Sequence, residues 1–123
     1  MTLLHTAFWV ADLERSIEFY EDLLGYEIVR EFENDNGVRN VFLGHPDPSA
    51  DDDAALQLLP ADEPVETGDF VHVALAIDDV DAAIESLDED RIDGGPNTME
   101  DAGVRVAFIQ DPDGWGVELI EQL

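Results

Sequence analysis

Leu3-Leu4-His5-Thr6-Ala7-Phe8-Trp9-Val10 has the pattern of a buried strand with one imidazole set into it. Side chains alternate across a strand, so Leu4, Thr6, Phe8 and Val10 share one side and His5, Ala7 and Trp9 the other. A helical period follows, with Leu13, Ile17, Tyr20 and Leu24 on one face, Asp12 as N-cap and Gly25 as stop. Tyr26 to Phe32 alternates as a second strand, with Ile28 and Arg30 one way and Val29 and Glu31 the other. Asn34-Asp35-Asn36-Gly37 predicts a turn, Val38 to Leu43 a strand, His45 to Asp53 a polar loop and Ala54 to Leu59 a strand.

The second half predicts the same order. Phe70 to Ile77 reads as a strand, with Val71, Val73, Leu75 and Ile77 facing a helix and His72, Ala74 and Ala76 facing away. Asp79 to Leu87 is a helix with Val80, Ala83, Ile84 and Leu87 on its face. A short extended piece near Arg91-Ile92, a Gly94-Gly95-Pro96-Asn97 turn and a strand from Val104 to Gln110 come next. Asp111-Pro112-Asp113-Gly114 is a strong turn signal before a last strand, Trp115 to Glu121.

Sliding the chain on itself by 67 positions lays His5 on His72, Ala7 on Ala74, Val10 on Ile77, Asp12 on Asp79, Ile17 on Ile84 and Glu18 on Glu85. With allowance for a longer first loop, Leu56-Gln57-Leu58-Leu59 lies over Val117-Glu118-Leu119-Ile120. The expectation is an α+β domain of two βαβββ modules, residues 1–60 and 70–123, joined by a linker over 61–69 and forming a curved mixed sheet.

Four polar side chains interrupt apolar strands at matching places: His5 and Gln57 in the first module, His72 and Glu118 in the second. Burying an amide without a partner costs roughly 2–7 kcal/mol, and a charge more. Two imidazoles, an amide oxygen and a carboxylate can ligate one divalent ion. The opposing possibility is that each histidine is a hydrogen-bonded core residue and that Gln57 and Glu118 face solvent. The runs Asp51-Asp52-Asp53, Asp78-Asp79 and Asp88-Glu89-Asp90 lack the glycine and spacing of an EF-hand and read as solvated surface. His45 is expected to be exposed.

The 123 residues include 31 acidic side chains, five arginines and no lysine, for a formal charge of -26. The apolar residues are too abundant and too well patterned for a disordered chain, so the excess describes a densely acidic surface on a folded domain, as in proteins of the halophile cytoplasm. Nucleic acid and anionic membranes are poor partners for such a surface. Cysteine is absent, which excludes disulfides and thiolate metal sites. No apolar run approaches a membrane span, and the N-terminus does not have the pattern of a signal peptide, so a cytoplasmic protein is expected.

His5-Thr6-Ala7, the segment Val10 to Gly25, Phe70 to Ala74 and Ala107 to Leu119 resemble glyoxalase I (lactoylglutathione lyase) within the vicinal oxygen chelate superfamily. That resemblance implies paired βαβββ modules, a homodimer and one divalent metal per site (nickel, zinc, cobalt or manganese) held by His5, Gln57, His72 and Glu118. It implies Glu118 as the catalytic base and a small-molecule substrate, the hemithioacetal of a 2-oxoaldehyde and a thiol. Trp9, Phe42, Phe108 and Trp115 are candidates to line the pocket. Three departures bear on substrate: Gln57 stands where bacterial-type glyoxalases have Glu, Trp9 where an arginine grips glutathione, and Pro60-Ala61-Asp62-Glu63 where an asparagine-containing segment is usual. The His, Gln, His, Glu set resembles that of methylmalonyl-CoA epimerase, a cousin with the same proton-transfer step. Two further alternatives in the superfamily are a metal-free antibiotic-binding protein and an iron-dependent dioxygenase.

Overall fold

The structure, a computed structural model, describes residues 3–46 and 55–123. The predicted Asp51-Asp52-Asp53 surface run and the start of the fourth strand at Ala54 lie outside the described residues. The chain divides into two units, Met1–Glu66 and Thr67–Leu123.

In the first unit β1 (Thr6–Val10), α1 (Leu13–Leu24), β2 (Glu27–Glu33), β3 (Arg39–Gly44) and β4 (Leu56–Pro60) follow in order. They form a four-stranded mixed sheet ordered β1-β4-β3-β2, with β1 parallel to β4 and the other pairs antiparallel. Asp12 caps α1 by accepting from the Arg15 N–H at 3.1 Å, and Gly25 ends it in the left-handed region. The helix-side residues of the strand pattern, Phe8, Val10, Val41, Leu43, Leu56 and Leu58, are buried together with Ile17 and Tyr20 of α1. Burial of this apolar set is the main stabilising term of the unit. The Asn34 carboxamide forms the predicted turn by accepting from the N–H groups of Asn36 and Val38.

The second unit repeats the order with β5 (Val73–Ala76), α2 (Val80–Glu85), a short 3₁₀ turn (Glu89–Arg91), β6 (Ile92–Met99), β7 (Val104–Gln110) and β8 (Gly116–Gln122). Its sheet is ordered β5-β8-β7-β6, again mixed. Leu75, Ala107, Ile109, Val117 and Leu119 are buried with Val80 and Ala83 of α2. Buried Asp111 organises the turn before β8, accepting at 2.9 Å from the N–H groups of both Asp113 and Trp115.

Three local expectations change. His5 and His72 do not lie within strands; each immediately precedes one, because β1 begins at Thr6 and β5 at Val73. Gly94-Gly95-Pro96-Asn97 is not a turn between elements but an irregular stretch inside β6, with register shifts on either side of Gly94. An edge strand tolerates proline, and Gly95 has φ +83° with no room for a Cβ against the Val106 carbonyl. Ile28 and Arg30 do not share a face: a bulge puts Ile28 opposite Leu43 and Arg30 opposite Phe42, on the two sides of the sheet. Among the described residues no helix is long and apolar enough to cross a membrane.

Candidate metal centre

Each sheet has one face covered by its helix and one open face, on which Ala7 and Trp9, or Ala74 and Ala76, are exposed. Register places the chemistry there. In the first unit Ala7, Gln57, Phe42 and Arg30 lie directly opposite one another across β1, β4, β3 and β2. In the second, Ala74, Glu118 and Phe108 make the same row across β5, β8 and β7. The histidine stands two residues before the alanine in both, so it shares the alanine's face.

The rows share one contact, a histidine ring against a phenylalanine. The His5 ring meets the edge of Phe42 at 5.2 Å between centroids, and His72 meets Phe108 at 5.6 Å. In the second unit His72 Nε2 lies 3.4 Å from Glu118 Oε1, with both side chains partly exposed. Two ligands of one ion, with bonds of about 2.1 Å and ordinary coordination angles, sit about 3.0–3.4 Å apart. The separation therefore suits two ligands of one divalent ion, and a neutral imidazole with a carboxylate is a donor set that such ions accept. Gly116 lets the segment bearing His72 lie against β8, since a Cβ there would overlap the Val71 carbonyl next to His72.

Gln57 is anchored differently from Glu118. Its Nε2 donates to Asn40 Oδ1 at 2.9 Å, and Asn40 Nδ2 donates to the Val38 carbonyl at 3.1 Å. Asn40 is only 3% exposed. The pattern of apolar positions does not single out Asn40; its signal is one amide in a buried strand, on the same face as Phe42.

The aromatic candidates divide. Phe42 is buried at the centre of the first row, stacked on Phe32 and carrying the Arg30 guanidinium 4.5 Å above its ring. Phe108 is half-buried against His72. Trp9 is 55% exposed on the open face, and Trp115 packs edge-on against Phe70 before β8. His45 is exposed, as expected.

A second acidic group forms at the start of α2, where carboxylate oxygens of Asp79, Asp81 and Glu121 lie within 4.8 Å of one another. All three are already engaged. Asp79 accepts from the Ala82 N–H, Glu121 from the Val80 N–H, and Asp81 from Arg105 through both of its oxygens. Hydrogen bonding from Arg105 holds the Asp81 carboxyl below its ordinary range. Glu121, three residues beyond Glu118 on β8, faces the helix side of the sheet, so this group caps α2 and is separate from the row of His72 and Glu118.

The open-face rows and the paired βαβββ order define a class. A profile of the Glyoxalase/Bleomycin resistance protein/Dioxygenase superfamily matches residues 2–119, and the chain belongs to that superfamily. Within it, the chain is 36% identical to the lactoylglutathione lyase of Haemophilus influenzae, over 98% of this chain and 93% of that one. It is 35% identical to the lactoylglutathione lyase of Escherichia coli O157:H7, over 99% and 93%. Glyoxalase I from Zea mays has a similar structure, with a TM-score of 0.79 and 30% identity over 98% of this chain. The chain spans only 44% of the maize protein's length. TnmS3, an antibiotic-binding protein from Streptomyces sp. CB03234, is similar at a TM-score of 0.68 and 25% identity, over 100% of this chain and 97% of that one.

Proposed function

We propose that the chain is a metal-dependent lyase of the glyoxalase I type, which converts the hemithioacetal of a 2-oxoaldehyde and a thiol into a 2-hydroxyacyl thioester. The observation that carries this reading is the 3.4 Å approach of His72 and Glu118 on the open face; His5 and Gln57 occupy the matching register positions of the first unit. Similarity to bacterial lactoylglutathione lyases over nearly the whole chain supports it.

In this reading His5, Gln57, His72 and Glu118 hold one nickel, zinc, cobalt or manganese ion. The set is completed within one chain or by exchange in a homodimer. When bound, the ion supplies Lewis-acid stabilisation of the oxygen charge that develops as the substrate loses its proton. Glu118 takes the proton from the carbon bearing sulfur and returns it to the neighbouring carbon, while the hydroxyl proton passes between the two oxygens, so no atom is gained or lost. Gln57 is neutral and leaves Glu118 as the sole carboxylate of the set. Trp9 stands where glyoxalase I carries a cation, so Arg30, held over Phe42 in the same row as Gln57, is the cation that an anionic thiol would meet on this face.

The test is turnover of methylglyoxal with several thiols, after loading with each metal in turn. Glu118→Gln is expected to lower kcat by about 10²–10⁴-fold, the usual contribution of a positioned base. Normal turnover by metal-free protein, or by His5→Ala and His72→Ala, would contradict the mechanism. The neutral Gln57 favours one second reading, racemisation at the acidic carbon of a 2-methylmalonyl thioester, which the same protein preparations would reveal by proton exchange into that substrate.

A further inference from the structure

We infer that Asn40 is a positioning residue that turns the Gln57 side-chain oxygen, rather than its nitrogen, toward the metal. The inference rests on the metal reading above and deepens it. It follows from donor and acceptor chemistry along one short chain of hydrogen bonds.

The Val38 carbonyl can only accept, so it fixes the nitrogen of the Asn40 amide toward itself, at 3.1 Å. The other end of that amide, Oδ1, can only accept in turn. It therefore requires a donor from Gln57, and Nε2 meets it at 2.9 Å. Oxygen and nitrogen branch from one carbon in the Gln57 amide, so the oxygen is the atom left turned away from Asn40. Only that oxygen can ligate a cation, because the amide nitrogen carries its hydrogens and offers no lone pair. Burial of Asn40 keeps water from replacing either contact.

The second unit supplies the contrast. Phe42 faces Gln57 as Phe108 faces Glu118, so the position equivalent to Asn40 is Val106, which is buried and apolar. Two departures from the internal repeat thus occur together: an amide at position 57 with an amide behind it, where the second unit has a carboxylate with a valine behind it. A carboxylate at 57 would set its oxygens against Asn40 Oδ1. Turning Asn40 over to relieve this would set Oδ1 against the Val38 carbonyl. The first unit is accordingly built for glutamine, and Asn40 is what makes a neutral ligand directional.

The experiment is a double-mutant cycle on metal affinity, using zinc or cobalt in competition with a chromophoric chelator at high salt. The variants are Asn40→Val, Gln57→Glu and the pair together, which copies Val106 and Glu118. Asn40→Val alone is expected to weaken binding by about 10–100-fold, the range for lost partners of metal ligands. The double variant is expected to bind at least about tenfold more tightly than Gln57→Glu alone, a coupling that independent sites do not show. If the two effects simply multiply, Asn40 does not orient the ligand and the inference is overturned. If the parent chain takes up no metal, the metal reading fails first and takes the inference with it, so the two failures are distinguishable. Should Asn40→Val not fold, NMR of the parent chain decides: the Gln57 side-chain NH2 is expected to be protected from solvent exchange and to persist on zinc loading. Unprotected exchange there would overturn the inference.

Discussion

His72 Nε2 stands 3.4 Å from Glu118 Oε1 although 46 positions separate the two in the chain. The parallel pairing of β5 with β8 brings them together, with Ala74 directly opposite Glu118 and His72 two residues upstream. The approach also depends on Gly116, whose missing Cβ leaves space for the Val71 carbonyl.

Gly116→Ala should therefore do two things at once. Forcing a methyl against backbone costs about 1–3 kcal/mol, the range for overpacking. The relief available is movement of the Val71-His72 segment, which carries His72 away from Glu118. Urea unfolding should show the lost stability, and metal affinity should fall in parallel. Unchanged affinity with lowered stability would show that His72 does not depend on this approach.

The acidic surface predicts a steep dependence on salt. With 31 carboxylates against five arginines, repulsion opposes the compact state, and molar salt shortens the screening length to about 3 Å. The melting temperature should rise by many degrees from dilute buffer to molar KCl. A melting temperature insensitive to KCl would contradict this.

Asp81 should oppose that trend in acid. Arg105 holds its folded pKa below the ordinary value of 3.8, so the carboxylate is favoured in the folded state. Its contribution is present above about pH 3.8 and is lost as pH falls through the folded value. Most other carboxylates relieve repulsion on protonation, so the effect is read as a difference. The stability gap between the parent chain and Asp81→Asn should narrow below pH 3.8. A gap independent of pH would show that the pair with Arg105 contributes nothing specific.

Much of this architecture is legible because two periods repeat in the sequence. Strand alternation separates Phe8 and Val10 from His5 and Trp9, and their burial follows it. Asp12 and Gly25 mark both ends of α1 because capping is local chemistry. What escapes is non-local. The bulge that turns Ile28 and Arg30 to opposite faces arises from pairing with β3, which alternation within β2 does not encode. Gly94 to Asn97 reads as a turn because glycine and proline are common in turns, yet β7 holds the stretch as an irregular edge strand. The internal repeat brings His72 and Glu118 together on paper, whereas Asn40 behind Gln57 breaks that repeat and so has no counterpart to reveal it.

In the proposed function His5, Gln57, His72 and Glu118 would hold one divalent ion. The most direct measurement is metal content per chain, by elemental analysis after loading with nickel, cobalt, manganese or zinc and desalting into high salt. The parent protein should retain one equivalent, and His72→Ala and His5→Ala should each lose it while keeping their fold by circular dichroism. A folded parent chain that retains no metal from any of the four would contradict the claim and leave a metal-free binding protein as the reading of the site.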